Sequence, residues 1–274
     1  MPEGDTVHRS AATLQRWLGG RRLTAASGRR IGFDPGLLVG TEVGPVEARG
    51  KHLLIHLDEQ LVVHTHLRMT GSWHVYPSGE RWRKPAAQAR LVLAAGLRVA
   101  VCFNAPVVEL RRRSEIARDP VLAGLGPDLL GAGPLEPAEL VRRARQGSAR
   151  SGSVAELLLD QRVVAGIGNI YRCETLFLCG VDPHTRAAEV DPATLQAIIA
   201  TASRLLRANA AASAVARRFD APAEQTWVYR RAGRPCRRCG APVRSEVHGA
   251  NARILYWCPS CQKPGPACAG PRAP

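Results

Sequence analysis

Residues 157–177 read LLLDQRVVAGIGNIYRCETLF, and the punctuation of this stretch sets the architecture of the second half of the chain. Its apolar start is helical and ends near Gln161. The small residues of AGIGN make a tight turn, and a new helix opens near Asn169. Backbone N–H groups at a helix start bind phosphate well, and small residues let a nucleic-acid backbone come close. Standing alone, such a turn more often serves to pack two helices.

Outward from this stretch the periodicity is helical over 136–146, 153–162, 168–179 and 191–209. Residues 210–226 carry no clear pattern. Upstream lies a Gly/Pro-rich segment, GLGPDLLGAGPLEP (124–137), which reads as a linker. From about 22 to 113 the texture is that of short strands. KHLLIHLD, QLVVHTHL, GSWHVYP, ARLVLAA and LRVAVCFN are separated by turn residues, the pattern of a sandwich or barrel-like domain. Residues 5–18 form an amphipathic helix, with Val7, Ala11, Leu14 and Leu18 on one side and Gly19-Gly20 as its stop.

The chain of 274 residues is 45% hydrophobic, enough for a sizeable core in one large or two moderate domains. Lys and Arg number 38 against 23 Asp and Glu, a net charge of +15. Such an excess points to polyanionic partners, nucleic acid first among them. Lys51, Lys84 and Lys263 are the only lysines, so part of the arginine count is compositional bias. No run of 18 or more apolar residues occurs, and no signal-peptide pattern opens the chain. A cytosolic location is expected, where eight cysteines point to metal or incidental thiols, not disulfides.

Four of those cysteines carry the strongest single signal. Cys236, Cys239, Cys258 and Cys261 form two C-x2-C pairs with 18 residues between them. This spacing fits one structural zinc ion held by four thiolates on a β-hairpin. Residues 230–274 hold nine Lys or Arg and a single acidic residue, Glu246, so the hairpin carrying Arg253 suits phosphate contact. Lys51 follows Gly50 in EARGKHLLIHL and opens an alternating strand. Met69 lies in a turn within HTHLRMTGSW, where it is either an exposed wedge that fills the gap left by an extruded base or a core side chain. Cys102, Cys173, Cys179 and Cys268 receive no role. The tail KPGPACAGPRAP (263–274) reads as disordered.

The opening PEGDTVHR, together with RGKHLL, HLRMTGSW, LLLDQRVVAGIGNIY and the paired C-x2-C motifs, resembles the Fpg/Nei DNA glycosylases from residue 2 to about 262. The resemblance implies an α+β multidomain fold. An N-terminal β-sandwich catalytic domain (1–114) precedes a helix–two-turn–helix DNA-binding domain (115–226), a zinc finger (227–262) and the tail. It implies base-excision repair by a monomeric enzyme acting on damaged DNA in the cytoplasm. With Met1 removed, Pro2 would be a secondary amine that attacks the sugar of the damaged nucleotide, forming an imine. Glu3 would be the general acid, and Lys51 would hold a phosphate and assist. Asn169 and Arg253 would grip the phosphates flanking the lesion. The PEG start matches the Nei (endonuclease VIII) branch. FNAPVVELRRR (103–113) stands where the Fpg pattern has D-P-R-R-F, and the segment before the finger lacks the Gly-Thr-rich loop. These departures favour oxidised pyrimidines over 8-oxoguanine, although Met69 sits in an Fpg-like context. Two alternatives stand beside this reading: an Fpg-like 8-oxoguanine/formamidopyrimidine glycosylase of the same class, and a non-catalytic zinc-finger DNA- or RNA-binding protein, which leaves Pro2 and Glu3 unexplained.

Overall fold

The computed structural model describes residues 1–133, 136–146, 152–211, 217–221, 226–250 and 252–263. Most of the expected disordered tail, including Cys268, lies outside the described residues. Contacts divide the chain into two compact units, Met1–Gly124 and Leu125–Pro274.

The first unit is an antiparallel β-sandwich with one long helix. Helix α1 (Gly4–Leu18) is followed by strands β1 (Ala25–Gly28), β2 (Val43–Arg49), β3 (His52–Leu57), β4 (Leu61–His66), β5 (Ser72–Pro77), β6 (Ala89–Ala95), β7 (Arg98–Phe103) and β8 (Val107–Arg112). The sheets run β1-β6-β7-β5 and β2-β3-β4-β8. Short helices α2 (Arg113–Ala117) and α3 (Pro120–Ala123) close the unit. The five quoted strand segments correspond to β3 through β7. Strands β1, β2 and β8 lie in sequence with weaker patterning, and β2 is interrupted by a register shift between Val43 and Val46.

Leu53, Ile55 and Val63 from one sheet meet Leu91, Leu93 and Cys102 from the other in a single core, to which α1 adds Val7, Ala11, Leu14 and Leu18. The indole N–H of Trp73 donates to Thr65 Oγ1 across this core at 3.1 Å, so its one buried polar group is satisfied. The expected alternation fails in β3. Leu53 through Leu57 are all buried, because the second face of that sheet is also covered and carries Leu54, His56 and His64.

Two hydrogen bonds fix where α1 lies along β2. Gly20 N–H donates to the carbonyl of Val43 at 2.7 Å, and Gln15 Oε1 accepts from Val46 N–H at 2.6 Å. Helix and strand therefore run in opposite directions. From Gln15 back to Gly4 is about 16 Å of helix, and from Val46 on to Lys51 is about 16 Å of strand. The start of α1 thus stands level with the β2–β3 turn.

The second unit is helical with an appended hairpin. Its helices are α4 (Pro137–Ala144), α5 (Val154–Leu157), α6 (Asn169–Leu178) and α7 (Pro192–Ala211), and its strands β9 (Arg244–His248) and β10 (Arg253–Trp257) pair antiparallel. The helix expected over 153–162 is a single turn. After Leu157 the backbone tightens, with Leu159 N–H on Glu156 O and Asp160 N–H on Leu157 O. Asp160 then turns its side chain to accept from Arg162 N–H at 3.0 Å, which favours a turn over continued helix.

Within the Gly/Pro-rich stretch expected to be a linker, residues 126–129 are instead pinned to the turn after α5 and to α7. Gly126 N–H donates to Gln161 O, Ala165 N–H to Pro127 O and Leu129 N–H to Ala165 O, while Ser203 Oγ donates to Leu129 O at 3.0 Å. A Cβ on Gly126 would come within 2.4 Å of the Val163 carbonyl oxygen, so a side chain here must push two backbone segments apart. Gly126→Ala should lower unfolding stability by about 1–3 kcal/mol, read from the midpoint of urea denaturation at unchanged slope; an unchanged midpoint would show that the contact yields without cost.

Candidate active site and metal centre

Pro2 and Glu3 precede the first turn of α1. Glu3 is its N-cap residue in extended conformation, and its carbonyl accepts from Thr6 and Val7 at 3.0 and 3.1 Å. Its side chain makes no capping bond to the helix, yet Glu3 is 1% exposed. A buried carboxylate is costly unless it is paired, and the helix dipole favours negative charge at this end.

Lys51 occupies the turn between β2 and β3, so it precedes the strand that was expected to begin at it. The turn has two central residues, since Arg49 pairs with His52. Gly50 has φ of 59°, a left-handed value that glycine supplies without strain. The antiparallel register of α1 and β2 therefore brings Pro2, Glu3 and Lys51 to one end of the sandwich. Met69 lies between β4 and β5 and is 50% exposed, which removes the core reading of this side chain. Its loop is shaped by Arg68 at φ 49° and by Gly71 N–H on the Leu67 carbonyl at 2.8 Å.

Beside Lys51 the sheet carries a row of histidines that no sequence motif singles out. His52 Nδ1 and His64 Nε2 are 2.9 Å apart, His64 Nδ1 reaches Glu109 at 3.2 Å, and the His52 and His66 rings meet edge to face at 4.7 Å. Period-2 spacing in KHLLIH and HTH was the available signal: adjacent strands in this register place all three rings on one face. Burial, then the charges of His66 and His64, push the His52 pKa down to about 3. Burial, then Arg68 and Lys51, push His66 to about 4. These rings are neutral at pH 7.

In the second unit, Asn169 opens α6, as the sequence placed it. Its amide N–H donates to the carbonyl of Ile254 at 2.8 Å, and its Oδ1 accepts from Arg172 at 2.5 Å. Asn169 and the strand of Arg253 are thereby joined. Two residues without a sequence motif of their own do the holding. Arg172 is fully buried, and Glu174, also fully buried, accepts from the backbone N–H groups of Trp227, Val228 and Tyr229 at 2.7, 3.0 and 2.8 Å. Burial pushes the Glu174 pKa up to about 6 against these three bonds. Two charges inside the apolar helix NIYRCETLF were the signal, because buried charge must be paired. A cavity of about 350 Å³ is lined by Gln161, Arg162, Arg172, His248 and Gly249, among others.

The four cysteines converge. Cys236 and Cys261 sulfurs are 3.9 Å apart and those of Cys239 and Cys258 are 3.5 Å apart, with all four within 4.8 Å of one another. Thiolates around zinc at about 2.3 Å in a tetrahedron sit about 3.8 Å apart, so the set fits such an ion. The first pair rides a tight turn, with Cys236 N–H on Ala241 O and Gly240 N–H on Cys236 O. The second is braced by Gln262, which accepts from Cys258 N–H and donates to Val181 O. Cys102 and Cys173 are core thiols at 0% exposure; burial pushes Cys173 up to about 12.

Known proteins share this fold. Residues 1–106 match the model described as the formamidopyrimidine-DNA glycosylase N-terminal domain, and residues 130–219 match the formamidopyrimidine-DNA glycosylase H2TH domain. The chain is 42% identical over 271 residues to probable endonuclease 8 2 of Streptomyces coelicolor, covering 97% of this chain and 95% of that one. It is 35% identical to the DNA-(apurinic or apyrimidinic site) lyase Nei2 of Mycolicibacterium smegmatis, covering 96% and 99%. In fold it is similar to Lactococcus lactis Fpg in complex with abasic-site DNA, with a TM-score of 0.81 at 19% identity and coverage of 96% and 100%.

The histidine row carries an acid signature. A histidine whose folded pKa is depressed favours the fold above its unfolded value near 6.5 and loses that contribution as pH falls toward the folded value. Thermal midpoints of the full chain should therefore fall between pH 7 and pH 5, and His52→Gln should narrow the difference. An equal fall in wild type and variant would take His52 out of the acid response.

Proposed function

The chain belongs to the formamidopyrimidine-DNA glycosylase family, and on that premise we propose that it is a bifunctional glycosylase/AP lyase of base-excision repair that works through an N-terminal proline imine. The observation that carries this reading is Glu3, a carboxylate buried at the start of α1, next to Pro2 and level with Lys51. Residues 1–114 form the catalytic domain, 115–226 the helix–two-turn–helix domain and 227–262 the zinc finger. The enzyme acts on damaged DNA as a cytoplasmic monomer.

Removal of Met1 makes Pro2 a secondary α-amine. Such an amine titrates at roughly 7.7–8.0, so a fraction is neutral and nucleophilic at pH 7, and the positive end of α1 favours that neutral form. The Pro2 nitrogen attacks C1′ of the damaged nucleotide and gives up its N–H proton, and the base departs with the glycosidic electron pair and is protonated by solvent. Glu3 protonates the sugar oxygen as the ring opens. The resulting iminium is cationic and draws electrons from C2′, whose proton is lost. Elimination of the 3′ phosphate and then the 5′ phosphate follows. Lys51 holds a phosphate during these steps, and Met69, exposed in its loop, fills the space left by the extruded base.

Asn169 and Arg253 hold the flanking phosphates. One amide N–H of Asn169 is committed to Ile254, and the second supplies the contact. Zinc on the four cysteines supplies structural rigidity to the hairpin; with four protein thiolates it leaves no position for substrate. Oxidised pyrimidines are the preferred lesions. The Nei-type PEG start supports this, as does the similarity to endonuclease 8 proteins. So does the segment 103–113, of which Val107–Arg112 run as strand β8 with Arg111 tied to Asp119 at 2.5 Å.

Two experiments test these roles. Borohydride should trap the mature protein on lesion-containing duplex with the adduct at Pro2. Glu3→Gln should slow base excision by about 100- to 10,000-fold in single turnover, and should slow cleavage of a pre-formed abasic site less. Mapping of the adduct to Lys51 would overturn the assignment of Pro2.

Arg253→Ala should weaken binding to all duplex sequences alike and reduce the log–log salt slope by about 0.9. Fluorescence anisotropy across a salt series reads this directly, and an unchanged slope would remove Arg253 from the phosphate contacts.

A further inference from the structure

A second cluster of ligating atoms lies apart from the four cysteines. His184 Nε2 is 2.8 Å from Glu246 Oε1, and His248 Nδ1 is 3.0 Å from the same oxygen. The three ligating atoms all lie within 4.8 Å of one another. Glu246 and His248 are two residues apart on β9 and so share one face. His184 comes from the loop after α6, and its ring meets Trp257 edge to face at 4.8 Å.

The far side of each ring is also held. Asp182 Oδ1 lies 2.8 Å from His184 Nδ1, and Ser153 Oγ lies 2.8 Å from His248 Nε2. Ser153 is itself fixed as the N-cap of α5, donating to Glu156 Oε2 and accepting from Glu156 N–H, both at 3.2 Å. Carboxylate and hydroxyl partners of this kind orient metal-bound imidazoles.

With both imidazoles neutral, the hydrogens leave a place for a cation beside Glu246. A neutral imidazole has one N–H. His184 gives its N–H to Asp182, which can only accept, and therefore turns a lone pair toward the Glu246 carboxylate. With the Ser153 proton on Glu156, His248 donates from Nε2 and turns its own lone pair toward the same oxygen. Two lone pairs and a carboxylate facing one point repel one another unless protons or a metal ion lie among them.

We propose that His184, Glu246 and His248 form a second divalent-metal site of zinc type, with Asp182 and Ser153 as the residues that orient its imidazoles. Two imidazoles and a carboxylate suit zinc better than calcium or magnesium. Zinc bonds of about 2.0–2.1 Å separate tetrahedral ligands by about 3.3 Å, a few tenths of an ångström beyond the observed spacings to Glu246. Three protein ligands leave a fourth position for water, and side-chain exposures of 35%, 41% and 14% for His184, Glu246 and His248 keep it accessible. Glu246 is the one acidic residue among nine Lys and Arg in 230–274, and it stands between the two histidines. His248 pairs directly with Arg253 across the hairpin, so the ion would add positive charge to the sheet face that carries Arg253.

The test is a metal count on the full chain. Equilibrium dialysis against zinc, with metal measured by mass spectrometry, should give two equivalents per wild-type chain. Cobalt substitution separates them: the four-thiolate site shows sulfur-to-metal charge-transfer absorption, and the second equivalent adds only weak ligand-field bands. Glu246→Gln should lose the second equivalent and keep the thiolate spectrum, and Asp182→Asn should weaken the second equivalent by about ten-fold or more. Should Glu246→Gln disturb the thiolate spectrum, His184→Gln, outside the hairpin, reads the second site alone. A single equivalent in the wild type at saturating zinc, or a second equivalent indifferent to Glu246→Gln and His184→Gln, would overturn the proposal.

Discussion

The carbonyl oxygen of Ile254 is the point on which the second unit turns. It belongs to β10, which among the described residues pairs with β9 alone, and backbone acceptors outside a sheet ladder need other donors. Asn169 and Arg172, one turn apart on α6, both direct donors at it, at 2.8 and 3.5 Å. A helix start is thereby fastened to a hairpin 85 residues away in sequence. Glu174 fastens the chain leading into the hairpin in the same manner, through three backbone N–H groups. The hairpin is thus held by hydrogen bonds from α6, to which Ser153 of α5 and His184 add contacts on β9.

Much of this architecture is legible in the sequence, for reasons that differ by element. Helix α1 is legible because Val7, Ala11, Leu14 and Leu18 all face the core and two glycines end it. The four-cysteine cluster is legible because ligand spacing on tight turns is a local property. The 124–137 stretch misleads because glycine and proline serve close packing as well as looseness, and only tertiary contact distinguishes the two; Gly126 lies against Val163. Residues 158–162 mislead because apolar periodicity continues past the point where the Asp160 side chain competes for the backbone.

The candidate site divides along the same line. The positions of Pro2, Glu3 and the cysteines follow from motif and chain order. Arg172, Glu174 and the histidine row act through partners distant in sequence, such as Trp227 for Glu174 and Glu109 for His64. A charge within an apolar helix announces that it is paired but not with what. The neutrality of His52 and His66 is likewise a tertiary property, set chiefly by burial.

The opposed run of α1 and β2 makes the helix a ruler. Its 15 residues span the same distance as the strand beside it, and the Gln15–Val46 bond sets the zero. Loss or gain of one residue between Glu3 and Gln15 would slide the N-terminus by about 1.5 Å and rotate it by about 100°, swinging the Glu3 carboxylate off its bearing while the sandwich core stayed intact. The β6–β7 turn is held more loosely: Gly96 has φ of 56°, the Leu97 side chain is 80% exposed, and the Leu97 carbonyl accepts from Ser78 N–H at 2.9 Å. Length variation in this lineage should therefore collect at the sandwich turns and spare the first helix, a pattern of insertions and deletions dictated by geometry and independent of which lesion the enzyme removes.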